Sequence, residues 1–386
     1  MLPIPAGALA ALAGACGRPY RAEWSNDGGL TWTACGIAAG SASITADRTA
    51  EVRYTAAATL TGVGLGTDGI NPISTNVRLW QGIQPARSRP VWIPAGRYTV
   101  DRPKRTRTGI TVELGGLEDE IRAAAFPTTR TIGPDPARAL VTELVGEALP
   151  GIPVAWRPGV DPDVQVPQLV ATEDRWAVLS SGRDEAGAAT GIAAALAGEI
   201  WADARGVITL GPVPTLADPA VWRIGRGPGG VLVEPQPQAS ADGLANLWVV
   251  TGDAGTGAPA IGPVYAWDDD PASLTYAGPD PVNDPGAPQR LGLLRVRLRV
   301  QRYASSLITS IGQAEEIARA KLADSLGVQS TLSLTAVCNP ALEAGDVIEA
   351  EAELGVWERH LIDSLSYTLG AASMSLATRT TTRRLA

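Results

Sequence analysis

From Tyr20 to about Leu117 short β-favouring runs alternate with turn clusters: YRAEW, SNDGG, LTWTA, and then the longer SASITADRTAEVRYTAAATLTGV. Ser25 to Gly29 tolerate positive φ, so YRAEW and LTWTA are predicted to form a hairpin. In RYTVDR and GITVELGGL, Tyr98, Val100, Ile110, Val112 and Leu114 alternate with polar residues, the period-2 pattern of strands packed on one core. This part of the chain is predicted to be all-β.

The texture changes after Phe126-Pro127. Pro134-Asp135-Pro136 opens ARALVTELVGEAL, in which Ala139, Leu140, Leu144 and Leu149 can share a helical face. A Pro-rich stretch, GIPVAWRPGVDPDVQVPQ, leads to a second predicted helix from Asp184 to Ala204, carrying Ile192, Leu196, Ile200 and Trp201. Gly206 to Leu210 then resumes as a strand. ANLWVVTG starts a third unit as a strand, and the Gly-, Pro- and Asp-rich stretch from Asp253 to about Gln289 reads as a long loop. Leu294 to Val300 alternates strictly. The predicted helix IGQAEEIARAKLADSLG follows, with Ala314, Ile317, Ala318, Leu322 and Leu326 as its apolar stripe and Gly327 as its C-cap. STLSLTAV, DVIEAEAEL, WERHLIDSLSYTL and ASMSLATRT return to strands, with Gly345-Asp346 as the tight turn before Val347. The two β-rich parts share a texture and no residue-level repeat.

A length of 386 residues predicts two to three units at roughly 100–200 residues per domain. Hydrophobic residues at 45% and charged residues at 19%, with the signs interspersed, indicate a globular chain. A net charge of −8 is the wrong sign for a phosphate-binding surface. Cys16, Cys35 and Cys338 are scattered and odd in number, without the spacing of a zinc or redox site. The amino terminus, MLPIPAGALAALAGACGRPY, resembles a secretory signal only superficially, because no Lys or Arg precedes Arg18 and Pro3 and Pro5 interrupt the apolar run. Ala6 to Ala15 is too short to cross a bilayer, so a short docking helix is expected there and no transmembrane segment elsewhere.

The residues with chemical potential all have a plainer structural reading. His360, the single histidine, lies in an alternating run with Asp363 three residues away and no nucleophile motif beside it, so it reads as a strand residue. Asp268-Asp269-Asp270 lacks the Gly and terminal Glu of a calcium loop and reads as a turn before Pro271. GRGPGG at 225–230 lacks the Lys and the helix of a phosphate loop and reads as a turn. The basic run Arg102-Pro103-Lys104-Arg105-Thr106-Arg107 reads as a solvated hairpin tip, with contact to an acidic partner or nucleic acid as the less favoured reading because no aromatics are interleaved. Glu118, Asp119, Glu120, Glu143 and Glu147 suit helix-terminus and surface roles better than a carboxylate pair for glycoside hydrolysis, as no cleft is indicated. Of the eleven tryptophans, Trp80, Trp92, Trp248 and Trp357 sit inside strand patterns, where core packing is expected. No catalytic residue, cofactor-binding residue or metal ligand is predicted, so the chain is not expected to be an enzyme or to carry a cofactor.

The order of the pieces adds a family. SASITADRTAEVRYTAAATL, TNVRLWQGI, WIPAGRYTVDR and GITVELGGLEDEIRAAAFPTTRTI, followed by the helix opening DPARALV, resemble the amino-terminal part of minor tail proteins of actinobacterial siphophages. LEAGDVIEAEAELGVWERHLIDSLSYTL resembles the last β unit of phage baseplate hub proteins. The resemblance implies a mainly β fold with an α+β insert, two tail-tube-like β-barrel domains flanking a small α+β domain. The implied division is an N-terminal docking segment at 1–19, a first β-barrel domain at 20–129, an α+β insert domain at 130–240 and a second β-barrel domain with one helix at 241–386. It further implies a structural hub at the distal tip of a phage tail, a homotrimeric ring that continues the tail tube and adapts sixfold to threefold symmetry. Its expected partners are the tail tube protein, the distal tail protein and a tip or fibre protein, with DNA passing through the lumen unbound and no membrane insertion. The expected location is the virion, and lytic or receptor-binding activity is expected on another chain. The competing reading is a host-recognition or carbohydrate-binding protein of the tail tip, motivated by the tryptophans, whose flat indoles pack against sugars.

Overall fold

The computed structural model describes the chain apart from residues 87, 172–173, 181–190, 228–229, 241–244, 253–259, 272, 274, 285–289, 292–293, 296–297, 306, 326–328 and 381–386. The amino terminus forms helix α1 (Ala6–Ala11). Leu2, Ala8 and Leu12 are buried in the main core, and the Leu2 N–H donates to the Ala341 carbonyl at 2.7 Å, so this short helix docks on the far end of the chain.

Seven strands follow: β1 (Tyr20–Ser25), β2 (Thr33–Ile37), β3 (Ser43–Asp47), β4 (Tyr54–Thr61), β5 (Asn76–Ile83), β6 (Val91–Arg105) and β7 (Ile110–Gly115). Antiparallel ladders run β4–β2–β1–β5–β6–β7 and return to β4, closing a six-stranded barrel. The expected β1–β2 hairpin forms because its turn satisfies itself. Ser25 Oγ accepts the Gly29 N–H at 2.9 Å, the Asp27 carboxylate accepts the Thr31 N–H at 2.9 Å, and Gly28 and Gly29 take positive φ. The alternation in β6 and β7 places Tyr98, Val100, Ile110, Val112 and Leu114 inside the barrel. Gly96 has φ 143°, and a Cβ there would land 2.1 Å from the Tyr98 ring, whose hydroxyl donates to the Ala95 carbonyl at 2.6 Å.

The insert comprises α2 (Leu117–Ala123), β8 (Arg130–Ile132), β9 (Asp135–Pro136), α3 (Ala137–Ala148), β10 (Val154–Trp156), β11 (Gln165–Val166), β12 (Leu169–Ala171), α4 (Arg175–Leu179), α5 (Ile192–Ala195), β13 (Gly198–Ala202) and β14 (Ile208–Pro212). It has its own core around the β10–β14–β13 sheet. Two expectations change here. The buried stripe of α3 is Ala137, Leu140, Val141, Leu144 and Val145, while Ala139 faces solvent. The helix expected over Asp184–Ala204 stops at Ala195. Ala197 turns left-handed at φ 51°, and Ile200 and Trp201 enter β13 paired with Leu210 and Thr209. Branched and aromatic side chains suit that half-buried ladder better than a helix whose apolar spacing they happen to match. Residues 184–190 of the expected helix lie outside the described residues.

The chain then adds β15 (Trp222–Ile224) and β16 (Leu232–Ser240), β17 (Leu247–Gly252), β18 (Ile261–Trp267), β19 (Arg290–Leu291), β20 (Leu294–Arg295), β21 (Val300–Ser305), α6 (Ile311–Ser325), β22 (Gln329–Val337), β23 (Val347–Glu353), β24 (Val356–Thr368) and β25 (Ser373–Thr380). β15 and β16 pair with β23 and β22, and β22–β25–β24–β23 completes a second β unit. Between β16 and β22, the strands β17, β18 and β21 form a separate sheet against α6, with Val250, Tyr303, Ala314, Ile317 and Ala318 as its core. The long loop expected over Asp253–Gln289 therefore contains a strand, β18. Gly262-Pro263 disguises it, and β18 tolerates Pro263 because it is an edge strand of its sheet. In α6 the stripe of Ala314, Ile317, Ala318 and Leu322 is buried, while Leu326 and Gly327 lie outside the described residues.

The two β units are one sheet. The second half of β24 pairs with β3 from Ser364↔Asp47 to Thr368↔Ser43, so an unbroken path runs β16–β22–β25–β24–β3–β4–β7–β6. The chain is mainly β, with a closed six-stranded barrel.

Candidate functional site

Because side chains alternate across a strand, paired residues share a face, and the ladders identify what paves each side of this eight-strand path through the sheet. One side holds Leu334, Leu376, Leu365, Ala46 and Tyr54, all buried. On the other, one cross-strand row reads Thr335↔Ser375↔Ser366↔Thr45↔Thr55, a hydroxyl on each of five consecutive strands. Beside it run Ser333↔Ala377↔Ser364↔Asp47 and Thr368↔Ser43↔Ala57. Further along, Thr59 and Thr111 bring their Oγ1 atoms within 3.1 Å. A depression in this face is lined by Thr45, Ser333, Thr335, Ser364, Ser366 and Ser375 together with Ala377 and the intervening Leu334, Leu365 and Leu376. The face is thus wide, small-grained and hydroxylated across both β units, with Asp47 in the row beside the central one and Asp101, Glu113, Lys104 and Arg379 as charges further out. Hydroxyls donate and accept without carrying charge, so such a wall offers hydrogen bonds to water or to a passing polymer and no strong anchor.

A second cluster fixes the insert to the barrel. The β3–β4 turn supplies Arg48, whose Nε donates to Glu199 Oε1 at 2.6 Å, and Arg53, whose Nη2 donates to Glu199 Oε2 at 2.6 Å. The Arg53 and Arg157 guanidinium carbons lie 4.3 and 4.8 Å from the Trp201 ring centre. Glu118, fully buried at the start of α2, accepts the Ala202 N–H at 2.9 Å, and burial pushes its carboxyl above the ordinary range. A cleft of about 380 Å³ separates these parts, lined by Arg48, Arg53, Glu118, Trp176, Glu199 and Trp201. Its ionisable groups are largely committed to one another, and it holds β3 in place to receive β24.

The residues singled out from sequence do not converge. His360 is buried in the second β unit, its Nδ1 3.1 Å from Thr378 Oγ1 and its Nε2 3.4 Å from the Glu358 carboxylate. Asp268 is buried and accepts from Thr275 Oγ1 at 2.6 Å, stitching its own turn, while Asp269 and Asp270 face solvent. Gly227 and Gly230 form a turn, with the Gly230 N–H donating to the Gly227 carbonyl at 2.9 Å. Arg102 to Arg107 form the exposed tip of the β6–β7 hairpin. Glu143 and Glu147 pair with Arg130 on the surface, and Glu147 also reaches Arg175 at 2.9 Å. Among the described residues, no three His, Cys, Asp or Glu side chains come together as a metal site, and no helix is long and apolar enough to cross a membrane.

The tryptophans correct an expectation. Trp80 and Trp92 are only half-buried and Trp357 is exposed, because on these strands the buried parity belongs to neighbours such as Leu79 and Ile93, whereas half-buried Trp248 does pack against the core of the β17–β18–β21 sheet and α6. Their indoles carry cations: Arg21 lies 4.8 Å from Trp80 and 4.7 Å from Trp92, Arg223 lies 3.8 Å from Trp357, and Lys321 lies 5.5 Å from Trp248. A sugar would have to compete with these guanidinium and ammonium groups. Trp176 and Trp201 are the buried ones. The hydroxylated face itself escaped the sequence reading, although its signal is present in the Ser/Thr alternation of STLSLTAV, SLSYTL and ASMSLATRT.

No protein-family model and no curated protein matches the sequence. Solved structures do match, over nearly the whole chain. A tail protein from Neisseria meningitidis MC58 superposes with a TM-score of 0.59 at 10% identity, covering 94% of this chain and 96% of that one. The chain has the fold of phage tail proteins. The prophage tail protein gp18 from Listeria monocytogenes EGD-e gives a TM-score of 0.54 at 8% identity, over 94% of this chain and 95% of that one. The 43 kDa tail protein of prophage MuSo2 from Shewanella oneidensis gives 0.50 at 12% identity, over 93% and 98%. With so little identity the likeness is one of architecture, and it spans nearly the whole chain.

Proposed function

We propose that the chain is a non-enzymatic structural hub at the distal tip of a phage tail, a trimeric ring that continues the tail tube and adapts its sixfold symmetry to threefold. The observation that carries this reading is the single sheet shared by two β units and paved on one side with hydroxyls. Three copies would bring six β units around one axis, with that face toward the lumen. A wall of this kind suits a channel that must let DNA pass without gripping it, because phosphate finds neither a basic lining nor a dense acidic barrier. In this reading the four segments at 1–19, 20–129, 130–240 and 241–386 act as docking segment, first barrel, insert and second β unit, with α2 of the second segment packing into the insert core and β15 and β16 of the third pairing into the second β unit. The partners are the tube protein on one side and the distal tail and tip or fibre proteins on the other, in the virion. The minor tail proteins of actinobacterial siphophages are the proposed family, on the order of the amino-terminal segments.

Mass photometry of the purified chain at about micromolar concentration, alone and with the tube protein, tests the reading. A species of three chains, imaged as an open ring, is expected. A protein that stays monomeric in both conditions would sink it.

A further inference from the structure

The two ends of the eight-strand path differ in charge. At one margin β6 outruns β5: its ladder with β5 ends at Asn76↔Thr99, whereas its ladder with β7 continues to Arg105↔Ile110. From Asp101 to Arg105 one edge of β6 has no strand beside it among the described residues. This arm and its turn expose Arg102, Lys104, Arg105 and Arg107. Arg102 meets Asp101 and Glu113 within the chain at 3.2 and 3.7 Å, while Lys104, Arg105 and Arg107 make no ion pair among the described residues.

The other margin is β16, which pairs with β22 alone. Between these two strands the chain leaves the sheet to build the β17–β18–β21–α6 unit, so that unit is tethered to this margin by both its ends. After β18, the stretch from Asp268 to Asp284 contains five aspartates and neither Lys nor Arg, and Asp269, Asp270, Asp280 and Asp284 are exposed. No ladder or ion pair among the described residues joins this acidic stretch to the basic arm within one chain. A further strand has a poor template at β16, because Pro235 and Pro237 have no N–H to donate. Charge, not an added ladder, is left to join this margin to something else.

We infer that the basic β6–β7 arm of one copy docks on the acidic Asp268–Asp284 stretch of the next copy, and that this head-to-tail contact closes the ring. The inference rests on the ring reading above. Opposite charges at opposite margins favour a heterologous contact, since a two-fold pairing of like margins would set cation against cation or carboxylate against carboxylate.

The test is a charge swap in the full chain. One variant carries Lys104→Glu, Arg105→Glu and Arg107→Glu, a second carries Asp269→Lys and Asp284→Lys, and a third carries all five. Self-association is measured by mass photometry across a salt series, with circular dichroism as the check on folding. Each single set is expected to weaken association by about tenfold or more, the wild-type association to fall with added salt, and the combined chain to recover it. Folded single sets that assemble as the wild type does, or a folded combined chain that does not recover, would overturn the contact. If the wild type forms rings of three that ignore the reversals, the hub reading stands and this contact falls. If reversal dissolves, and recombination restores, an assembly of another stoichiometry, the contact stands and the three-copy reading falls.

Discussion

Glu118 sets burial directly against charge. Its carboxyl has no exposure, accepts the Ala202 N–H, and is pushed above its ordinary value near 4.5 by desolvation. Below that ordinary value the group is protonated in both the folded and unfolded chains, and its neutral burial contributes fully to stability. As pH rises through the raised folded value, the native state must either hold the proton against solvent or bury a charge, and that contribution is lost. Glu118→Gln keeps an acceptor for Ala202 without the proton equilibrium. It is expected to be more stable than the wild type near neutral pH by about 1 kcal/mol and to lose that advantage near pH 4. Thermal unfolding of both proteins across that range checks this; a constant difference at every pH would refute the assignment. Glu199 is the opposite case, since one carboxylate answers two mostly buried guanidinium groups at 2.6 Å each. Glu199→Ala removes the carboxylate that both guanidinium groups share, leaving Arg48 the longer contact to Asp363 at 3.8 Å and Arg53 its stacking on Trp201, and is expected to cost about 3 kcal/mol in a denaturant titration. A cost below about 1 kcal/mol would mean that water takes over the bridge.

At the scale of elements, the strands of the barrel were legible wherever alternation met a turn cluster, as in β1–β2 and β6–β7, because both signals are local. The stretch after Ala195 was not. Ile192, Leu196, Ile200 and Trp201 have helical spacing, yet the backbone reverses at Ala197 and Gly198, a tertiary event that no spacing encodes. The hydroxylated face was illegible for a related reason. Each Ser/Thr alternation reads alone as a solvated strand face, and only the β24–β3 ladder, which joins residues more than three hundred positions apart, lines them up. Gly198 offers a test of the local reversal. A Cβ there would lie 2.8 Å from the Gly211 carbonyl oxygen across the β13–β14 ladder. Gly198→Ala is expected to destabilise the chain by about 1–3 kcal/mol, with the total fluorescence of its tryptophans reporting the unfolding. An unchanged midpoint would show that β13 shifts freely and does not clamp the insert.

At the scale of the whole molecule, the hydroxylated face makes a demand that stability cannot explain. A solvated face of this width would ordinarily carry Lys and Glu, which keep sheets soluble and apart; instead the central row, from Thr335 to Thr55, holds hydroxyls alone. If the face lines a channel for DNA, cations placed there should hold phosphate and slow its passage without disturbing the fold, since Ser366 and Ser375 point away from the core. The chain with Ser366→Arg and Ser375→Arg is therefore expected to fold and assemble as the wild type does, and to release DNA from particles several-fold more slowly at low salt. The defect should shrink as salt rises, because each phosphate contact that forms displaces counterions. Replacement by Ser366→Gln and Ser375→Gln supplies comparable bulk without charge and separates obstruction from attraction. Equal slowing by the Arg and Gln variants, with no dependence on salt, would place the effect in channel width; no slowing by either would remove this face from the path of the DNA.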